Sequence, residues 1–245
     1  MSRRFSHVRL VTFDLFDTLY TPAEPVRRTY ARPLWQHGYN VSEETMGRAF
    51  AQAYKEIHTE YPNYGFGTRL TSRQWWELVI DTAWGHALGI HEPSLPSPTL
   101  VSARNALVDG FGTSRGYRMY GDVPRVLGYL RRKGVRLGVV SNMDENADYV
   151  LRGLGILHYF DFVLKSVAVG VEKPDPRIFD MALSAVNVQA YDALHVGDSE
   201  KYDYIPATNA GMQAVLVNRD PRAAALVAKY PEKYVSSLES LLRLI

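Results

Sequence analysis

Two rhythms of apolar and polar positions divide the chain. Short apolar runs that stop at polar turns predict buried strands, whereas apolar residues at three- and four-residue spacing predict helices. The first strand is predicted at VRLVTFD, residues 8–14, and an all-helical block follows from about residue 22 to residue 109. Its four helical segments are PVRRTYARPLWQHGY, SEETMGRAFAQAYKEIHTEY, TSRQWWELVIDTAWGHALGI and SPTLVSARNALVDGF. Ser42 is the predicted N-cap of the second helix, and Thr71 or Ser72 that of the third.

From Gly121 onward, predicted helices and strands alternate. Strands are expected at VRLGVVSN, FDFVLKS, ALHVGD and QAVLVN, and a helix is expected after each of them. This alternation predicts an α/β fold with a parallel sheet and helices on both of its faces. The helical block is then an insertion after the first strand. We predict an α/β core of residues 1–20 and 113–245 and a helical cap of residues 21–112, joined by the turn-rich stretches TPAEP and GFGTSRG.

Composition narrows the class of protein but not its function. The chain has 245 residues, 46% of them apolar and 22% charged, as in ordinary globular proteins. A net charge of +2 gives no support for a nucleic-acid partner, and no apolar run approaches the length of a membrane span. The absence of cysteine excludes disulfides, thiolate metal sites and a cysteine nucleophile. We expect a cytoplasmic monomer or homodimer, with a mitochondrial or nuclear location left open.

Polar side chains that could take part in catalysis or binding stand at or after the ends of four predicted strands. They are Asp14, Asp17 and Thr18 after the first strand, Ser141 and Asn142 at the end of the second, Lys173 beyond the third, and Asp198 and Asp203 after the fourth. Because ligands bind outside the carboxyl ends of parallel strands, these groups are expected to meet at one edge of the sheet. Two carboxylates in one small space repel each other unless a cation joins them, and oxygen ligands favour Mg²⁺.

A divalent ion, a lysine and hydroxyl or amide donors around a carboxylate together form a cradle for a phosphate group. The carboxylate at its centre can attack phosphorus and form an aspartyl phosphate. The sequence therefore predicts that the partner of this site is a small phosphorylated or anionic substrate.

These segments resemble the motifs of the haloacid dehalogenase (HAD) superfamily, and the helical insertion resembles its C1-type cap. The resemblance implies a Rossmann-like core. It also implies that Asp14 is the nucleophile and a Mg²⁺ ligand, that the main-chain carbonyl of Phe16 is a further ligand, that Asp198 holds the metal and that Asp203 supports the metal's water shell. The stretches YPNYGFGTRLTSRQWWELV, FDLFDTL and EKPDPRIF resemble a narrower eukaryotic group within the superfamily.

The same resemblance implies a set of residues that hold the phosphate. Thr18 and Ser141 would bind phosphoryl oxygens, with Asn142 beside them. Lys173 would pair with both Asp14 and the phosphate.

Phe16 departs from the pattern of the phosphatases in this superfamily. Their loop reads D-x-D-x-T, and the second aspartate protonates the leaving alcohol and then activates water. Phenylalanine can do neither, and general acid–base catalysis is typically worth ~10²–10⁴-fold. Asp17 stands one place late, where glycine is usual. A structural role in the turn is expected for it, with an acid–base role as the alternative.

Three functions remain open at this stage. The first is a slow or specialised Mg²⁺-dependent phosphatase, which the residues favour. The second is a non-catalytic phosphate-binding or interaction protein. The third is a metal-free 2-haloacid dehalogenase. Such enzymes resemble this chain at Phe16, because halide leaves without a proton, but usually have a small neutral residue in place of Asp198.

Overall fold

The computed structural model describes residues 5, 7–90, 98–220 and 224–245. The chain divides into two compact units. The α/β unit contains residues 1–21, 119–143 and 151–245, and the helical unit contains residues 22–118 and 144–150. The helical unit thus takes in two short segments, 113–118 and 144–150, that the sequence assigned to the core; the domain boundaries drawn from the sequence stay a prediction.

A six-stranded parallel sheet forms the centre of the α/β unit, and a separate pair of short strands lies outside it. In chain order the strands are β1 Leu10–Phe13, β2 Tyr20–Pro22, β3 Tyr117–Met119, β4 Arg136–Ser141, β5 Phe162–Lys165, β6 Ala193–Gly197, β7 Gln213–Val217 and β8 Tyr234–Val235. The sheet order is β5-β4-β1-β6-β7-β8, and β2 pairs with β3. Strand β1 lies between β4 and β6, with Val11 opposite Leu137 and Leu194. All four β1 residues are buried, as expected for a central parallel strand.

Some of the helices pack beside this sheet in the α/β unit, and the others make up the helical unit. In chain order the helices are α1 Val26–Gln36, α2 Glu43–Glu60, α3 Pro62–Gly65, α4 Ser72–Leu88, α5 Pro98–Phe111, α6 Val123–Arg132, α7 Ala147–Gly153, α8 Ser166–Val169, α9 Arg177–Val186, α10 Ile205–Asn209, α11 Ala224–Lys229 and α12 Leu238–Leu241. In the α/β unit, α9 packs Ile178 and Phe179 into one apolar cluster with Leu10 of β1 and Val140 of β4. Burial of this face fixes the carboxyl ends of β1 and β4 side by side.

The helical unit has its own core and clear helix starts. Tyr30, Leu34 and Trp84 belong to one buried cluster shared by α1, α2, α4 and α5. Ser42 caps α2 by accepting a hydrogen bond from the Thr45 amide at 3.0 Å. Thr71 caps α4 through a reciprocal pair of bonds with Gln74, which confirms the first of the two N-cap alternatives.

The structure confirms the predicted α/β class with its parallel sheet and corrects several local details. The sequence missed β2, β3 and β8, which are only three, three and two residues long. The stretch GFGTSRG was predicted as a turn, but its first two residues are the last two of α5. The start of the helix predicted from Pro221 lies outside the described residues. In the described part of the chain, no helix is long and apolar enough to cross a membrane.

Candidate active site

Asp14 and Lys173 form a buried ion pair at the carboxyl edge of the sheet. Asp14 directly follows β1, and its amide donates to the Val196 carbonyl of β6 at 2.9 Å. Lys173 Nζ lies 2.7 Å from Asp14 Oδ1, and both residues are almost fully buried. Burial raises the pKa of Asp14, and Lys173 opposes that rise. Burial also works against a charged Lys173, but the carboxylates of Asp14 and Asp203 outweigh it and raise the lysine pKa.

Asp203 is the second carboxylate bound to this lysine. Its Oδ1 lies 2.5 Å from Lys173 Nζ and 3.1 Å from His195 Nε2, and its Oδ2 accepts from the Ser199 amide at 3.0 Å. Burial favours the protonated acid, but Lys173 and His195 together hold the pKa of Asp203 below its ordinary value. Since both Asp203 oxygens already have partners, this residue suits support of a metal site better than direct ligation.

His195 connects Asp203 to the middle of the sheet. The imidazole is fully buried in β6, and its Nδ1 lies 2.9 Å from the Thr12 hydroxyl of β1. Burial is the main cause that lowers the pKa of His195, so the ring is neutral near pH 7. A carboxylate can only accept, so Nε2 carries the proton that is donated to Asp203, and Nδ1 accepts from Thr12. Sequence reasoning missed His195; a histidine within the apolar run ALHVG was the available signal, because a buried polar side chain needs partners.

Gly197 makes room for Asp203. It is the last residue of β6, and a Cβ placed there would overlap the Asp203 carboxyl group. Asp203 itself lies in a π-helical turn, Glu200–Tyr204, which the Ser199 hydroxyl caps by accepting from the Tyr202 amide at 3.2 Å. A side chain at residue 197 would therefore displace the carboxylate that orients Lys173.

Asp198 completes a cluster of three carboxylates. One oxygen each of Asp14, Asp198 and Asp203 lies within 4.8 Å of the others. Asp198 is exposed, and among the described residues it has neither a hydrogen bond nor an ion pair. Partial loss of solvent, followed by the nearby carboxylates of Asp14, Asp203 and Asp17, raises the pKa of Asp198 to about 7. Since one lysine faces three carboxylates, the donor set fits a divalent cation bound by oxygen.

Thr18 lies in the turn after β1, and Ser141 is the last residue of β4, as the sequence predicted. The Thr18 hydroxyl is buried and has no hydrogen-bond partner among the described residues. A buried hydroxyl without a hydrogen-bond partner costs stability, and a bound ligand oxygen would satisfy it. Ser141 is 2% exposed and makes a hydrogen bond that lowers the pKa of Asp14.

The Asn142 side chain is engaged by the main chain of Lys173. Its Nδ2 donates to the Lys173 carbonyl at 2.8 Å, and its Oδ1 accepts from the Lys173 amide at 2.7 Å. This reciprocal pair ties the residue after β4 to the loop that carries the lysine. The structure therefore gives Asn142 a positioning contact, and its predicted contact with phosphate stays a prediction.

Phe16 and Asp17 form the turn between Asp14 and Thr18. Phe16 is 39% exposed and pairs in a single β-bridge with Tyr20. Asp17 adopts a left-handed φ of 52°, as the usual glycine would. Its amide bonds to the Tyr20 carbonyl, and its Oδ1 accepts from the Thr21 hydroxyl, both at 2.7 Å. The expected structural role of Asp17 in the turn is thus visible, although its carboxylate binds a hydroxyl rather than the backbone.

In the helical unit, Trp75 and Trp76 are adjacent on α4 and their rings lie at 89° to each other. Trp75 is 1% exposed and donates to the Tyr61 carbonyl at 2.8 Å, so it packs in the core. Trp76 is half-buried, and its Nε1 donates to the buried carboxyl group of Asp144 at 3.0 Å.

Comparison with known proteins identifies the family. The sequence profile described as haloacid dehalogenase-like hydrolase matches residues 8–211. The relative named haloacid dehalogenase-like hydrolase domain-containing protein 3 is 36% identical in Bos taurus and 37% identical in Mus musculus, in each case over 237 residues, 96% of this chain and 92% of the relative.

Solved structures show the same fold. A 2-haloacid dehalogenase from Pseudomonas syringae pv. Tomato DC3000 superposes with a TM-score of 0.62 at 26% identity, over 97% of both chains. A HAD phosphatase from Thermococcus onnurineus superposes with a TM-score of 0.60 at 23% identity, over 96% of both chains, and this likeness concerns the fold alone. Over most of its length the chain resembles haloacid dehalogenase-like hydrolase domain-containing protein 3. The profile match and the relatives together show that the chain belongs to the haloacid dehalogenase-like hydrolase family.

Proposed function

We propose that this chain is a Mg²⁺-dependent phosphatase that forms an aspartyl phosphate at Asp14. The observation that carries the proposal is the cluster of Asp14, Asp198 and Asp203 within 4.8 Å, in which Asp14 and Asp203 pair with one buried lysine. Asp198 is the carboxylate of this set that has no hydrogen bond or ion pair among the described residues. It is therefore available to a cation, with Asp14 beside it and the Phe16 carbonyl as the expected third ligand.

Each residue of the site has a defined task in this reaction. Lys173 donates to the Asp14 carboxylate at 2.7 Å, and Lys173 and Ser141 both oppose the rise in the pKa of Asp14 that burial causes. A carboxylate oxygen of Asp14 attacks phosphorus, the bond from phosphorus to the substrate oxygen breaks, and its electron pair leaves with that oxygen. The Thr18 hydroxyl, which has no hydrogen-bond partner among the described residues, can donate to the transferred group. A bound Mg²⁺ would neutralise negative charge on that group. Water then releases phosphate from Asp14.

Phe16 limits the substrates that such a site can use. The phenyl ring of Phe16 cannot protonate a departing alkoxide, and the Asp17 carboxylate accepts a hydrogen bond from the Thr21 hydroxyl. Aryl and acyl phosphates leave as stabilised anions and need no such proton. We therefore propose these classes, rather than sugar or glycerol phosphates, as the better substrates.

Phe16 also supports two other candidates. A site without an acid can bind a phosphate ligand without turning it over, and it can release halide, which needs no proton. The P. syringae neighbour is described as a 2-haloacid dehalogenase. Against a metal-free reaction stands Asp198, because a further carboxylate within 4.8 Å of Asp14 is electrostatically unfavourable without a cation.

The test is a panel of aryl, acyl and alkyl phosphates and a 2-haloacid, each with and without Mg²⁺. We expect turnover of aryl and acyl phosphates that needs Mg²⁺ and that Asp14→Asn abolishes, since an amide is not a nucleophile. The matched control is Asp192→Asn, because Asp192 precedes β6 at the other end of the sheet. Halide release without metal would establish the dehalogenase instead, and phosphate-induced stabilisation without any turnover would establish the binding protein.

A further inference from the structure

We propose that Arg219 is a positioning residue that holds the Thr18 hydroxyl in place to receive the phosphoryl group, an inference that rests on the proposed function. Arg219 lies two residues beyond the end of β7 and belongs to none of the four segments in which the sequence placed chemistry. Its Nη2 donates to the Thr18 carbonyl at 2.7 Å.

The turn that carries Thr18 needs support from outside. The Leu15 carbonyl accepts from the amides of Thr18, Leu19 and Tyr20 at 2.9 to 3.3 Å, and Asp17 within the turn has a left-handed φ of 52°. A non-glycine residue in that conformation persists where surrounding contacts fix it. The bond from Arg219 is such a contact.

Arg219 is itself held in a fixed geometry. Its Nη1 lies 2.8 Å from Asp122 Oδ2, and its guanidinium carbon lies 4.1 Å from the centre of the Tyr120 ring. The side chains of Arg219 and Asp122 are 11% and 12% exposed. Asp122 Oδ2 also accepts from the Leu238 amide at 2.8 Å, which anchors it to α12. A planar guanidinium can donate in two directions at once, which an ammonium on a flexible stem does less well.

The contact with Thr18 is geometric more than electrostatic. Asp122 compensates the charge of Arg219, so little of that charge is left for a phosphate. The bond instead fixes the peptide plane next to the Thr18 side chain, whose hydroxyl has no partner among the described residues. Arg219 also lines a cavity of about 370 Å³ together with Asp17 and Asp198. That space gives the turn room to shift once the bond is lost.

The experiment measures binding of inorganic phosphate by calorimetry in the presence of Mg²⁺. The main variant is Arg219→Met/Asp122→Asn, which removes both charges together, because an unpaired buried charge is strongly destabilising. Asparagine at residue 122 can still accept from the Leu238 amide. We expect the phosphate Kd to rise about tenfold, the factor that corresponds to one well-made hydrogen bond. Arg125→Met is the control, since the Arg125 side chain is 76% exposed on α6 and pairs with Glu239.

Thr18→Val separates positioning from a general structural role. If Arg219 acts through the Thr18 hydroxyl, the double substitution should weaken phosphate binding by less than about twofold in a Thr18→Val background. Arg219→Lys, which keeps a charge beside Asp122, should show part of the same loss. An unchanged phosphate Kd in either folded variant, or an equal loss with and without the Thr18 hydroxyl, overturns the inference alone. A wild-type protein that binds no phosphate overturns it together with the proposed function.

Discussion

In the proposed reaction, Phe16 limits which chemical steps this site can complete. Asp14, the proposed nucleophile, pairs with Lys173, and the Thr18 hydroxyl has no hydrogen-bond partner among the described residues. In the proposed reaction, residue 16 offers no proton donor for the leaving oxygen and no base for the attacking water. The Asp17 carboxylate accepts from the Thr21 hydroxyl at 2.7 Å, which favours the structural role expected for this residue.

Phe16→Asp should raise kcat/KM for an alkyl phosphate by up to ~10²-fold and change that for an aryl phosphate much less. The new carboxyl group supplies the missing proton, and an aryl leaving group hardly needs one. Phe16→Leu is the matched control, since it removes the ring without adding an acid. A wild-type protein that already turns over the alkyl ester as fast as the aryl ester would show that another residue supplies the proton.

We expect Asp198 to make stability, and the proposed metal binding, depend on pH. In the metal-free folded protein its pKa is about 7, against an ordinary value of 3.8. The folded state therefore keeps a proton that the unfolded chain loses, so the stability contributed by Asp198 falls as the pH rises from about 4 through 7. As the pH rises over that interval, the Tm of Asp198→Asn should increase relative to the Tm of the wild type.

The same residue predicts how Mg²⁺ acts. Because a proton on Asp198 competes with the cation, Mg²⁺ should raise the Tm more at about pH 8 than at about pH 6. Asp198→Asn should remove most of this pH dependence. An equal response of both proteins to Mg²⁺ at the two pH values would take Asp198 out of the metal site.

At the scale of elements, the carboxyl ends of β1, β4 and β6 bring the site together. Their order along the chain was readable from the sequence because each apolar run stops at a polar residue, and parallel strands end at one edge. The pairing of side chains was not readable. Asn142 forms hydrogen bonds with the main chain of Lys173, and His195 donates to Asp203. Each of these contacts joins residues at least eight positions apart in the chain.

Gly197→Ala tests how closely strand β6 and the following turn must approach. The added methyl group overlaps the Asp203 carboxyl group, so Lys173 should lose a partner and the protein should lose about 1–3 kcal/mol of stability. We expect phosphate binding and turnover to fall with it. Gly121→Ala is the control, because nothing lies within 4 Å of a Cβ placed there and its φ is not left-handed. Equal Tm values for the two variants would contradict the close approach.

At the scale of the whole molecule, long periodic segments were predictable and short or non-local features were not. The helices α2 and α4 and their caps Ser42 and Thr71 follow from local spacing and capping chemistry. Strands β2, β3 and β8 are too short to show a period. Arg219 carried no signal, because its partners Thr18 and Asp122 lie 201 and 97 residues away in the chain.

The central claim is that Asp14 carries the phosphoryl group, and the most direct measurement is mass spectrometry of the protein after rapid mixing with an acyl phosphate and Mg²⁺. We expect a phosphorylated protein with the modification on Asp14, absent in Asp14→Asn. It should be long-lived in the wild type and shorter-lived in Phe16→Asp, because Phe16 supplies no base for water. Turnover of the acyl phosphate that persists in Asp14→Asn, with no phosphate ever found on Asp14 of the wild type, would contradict it.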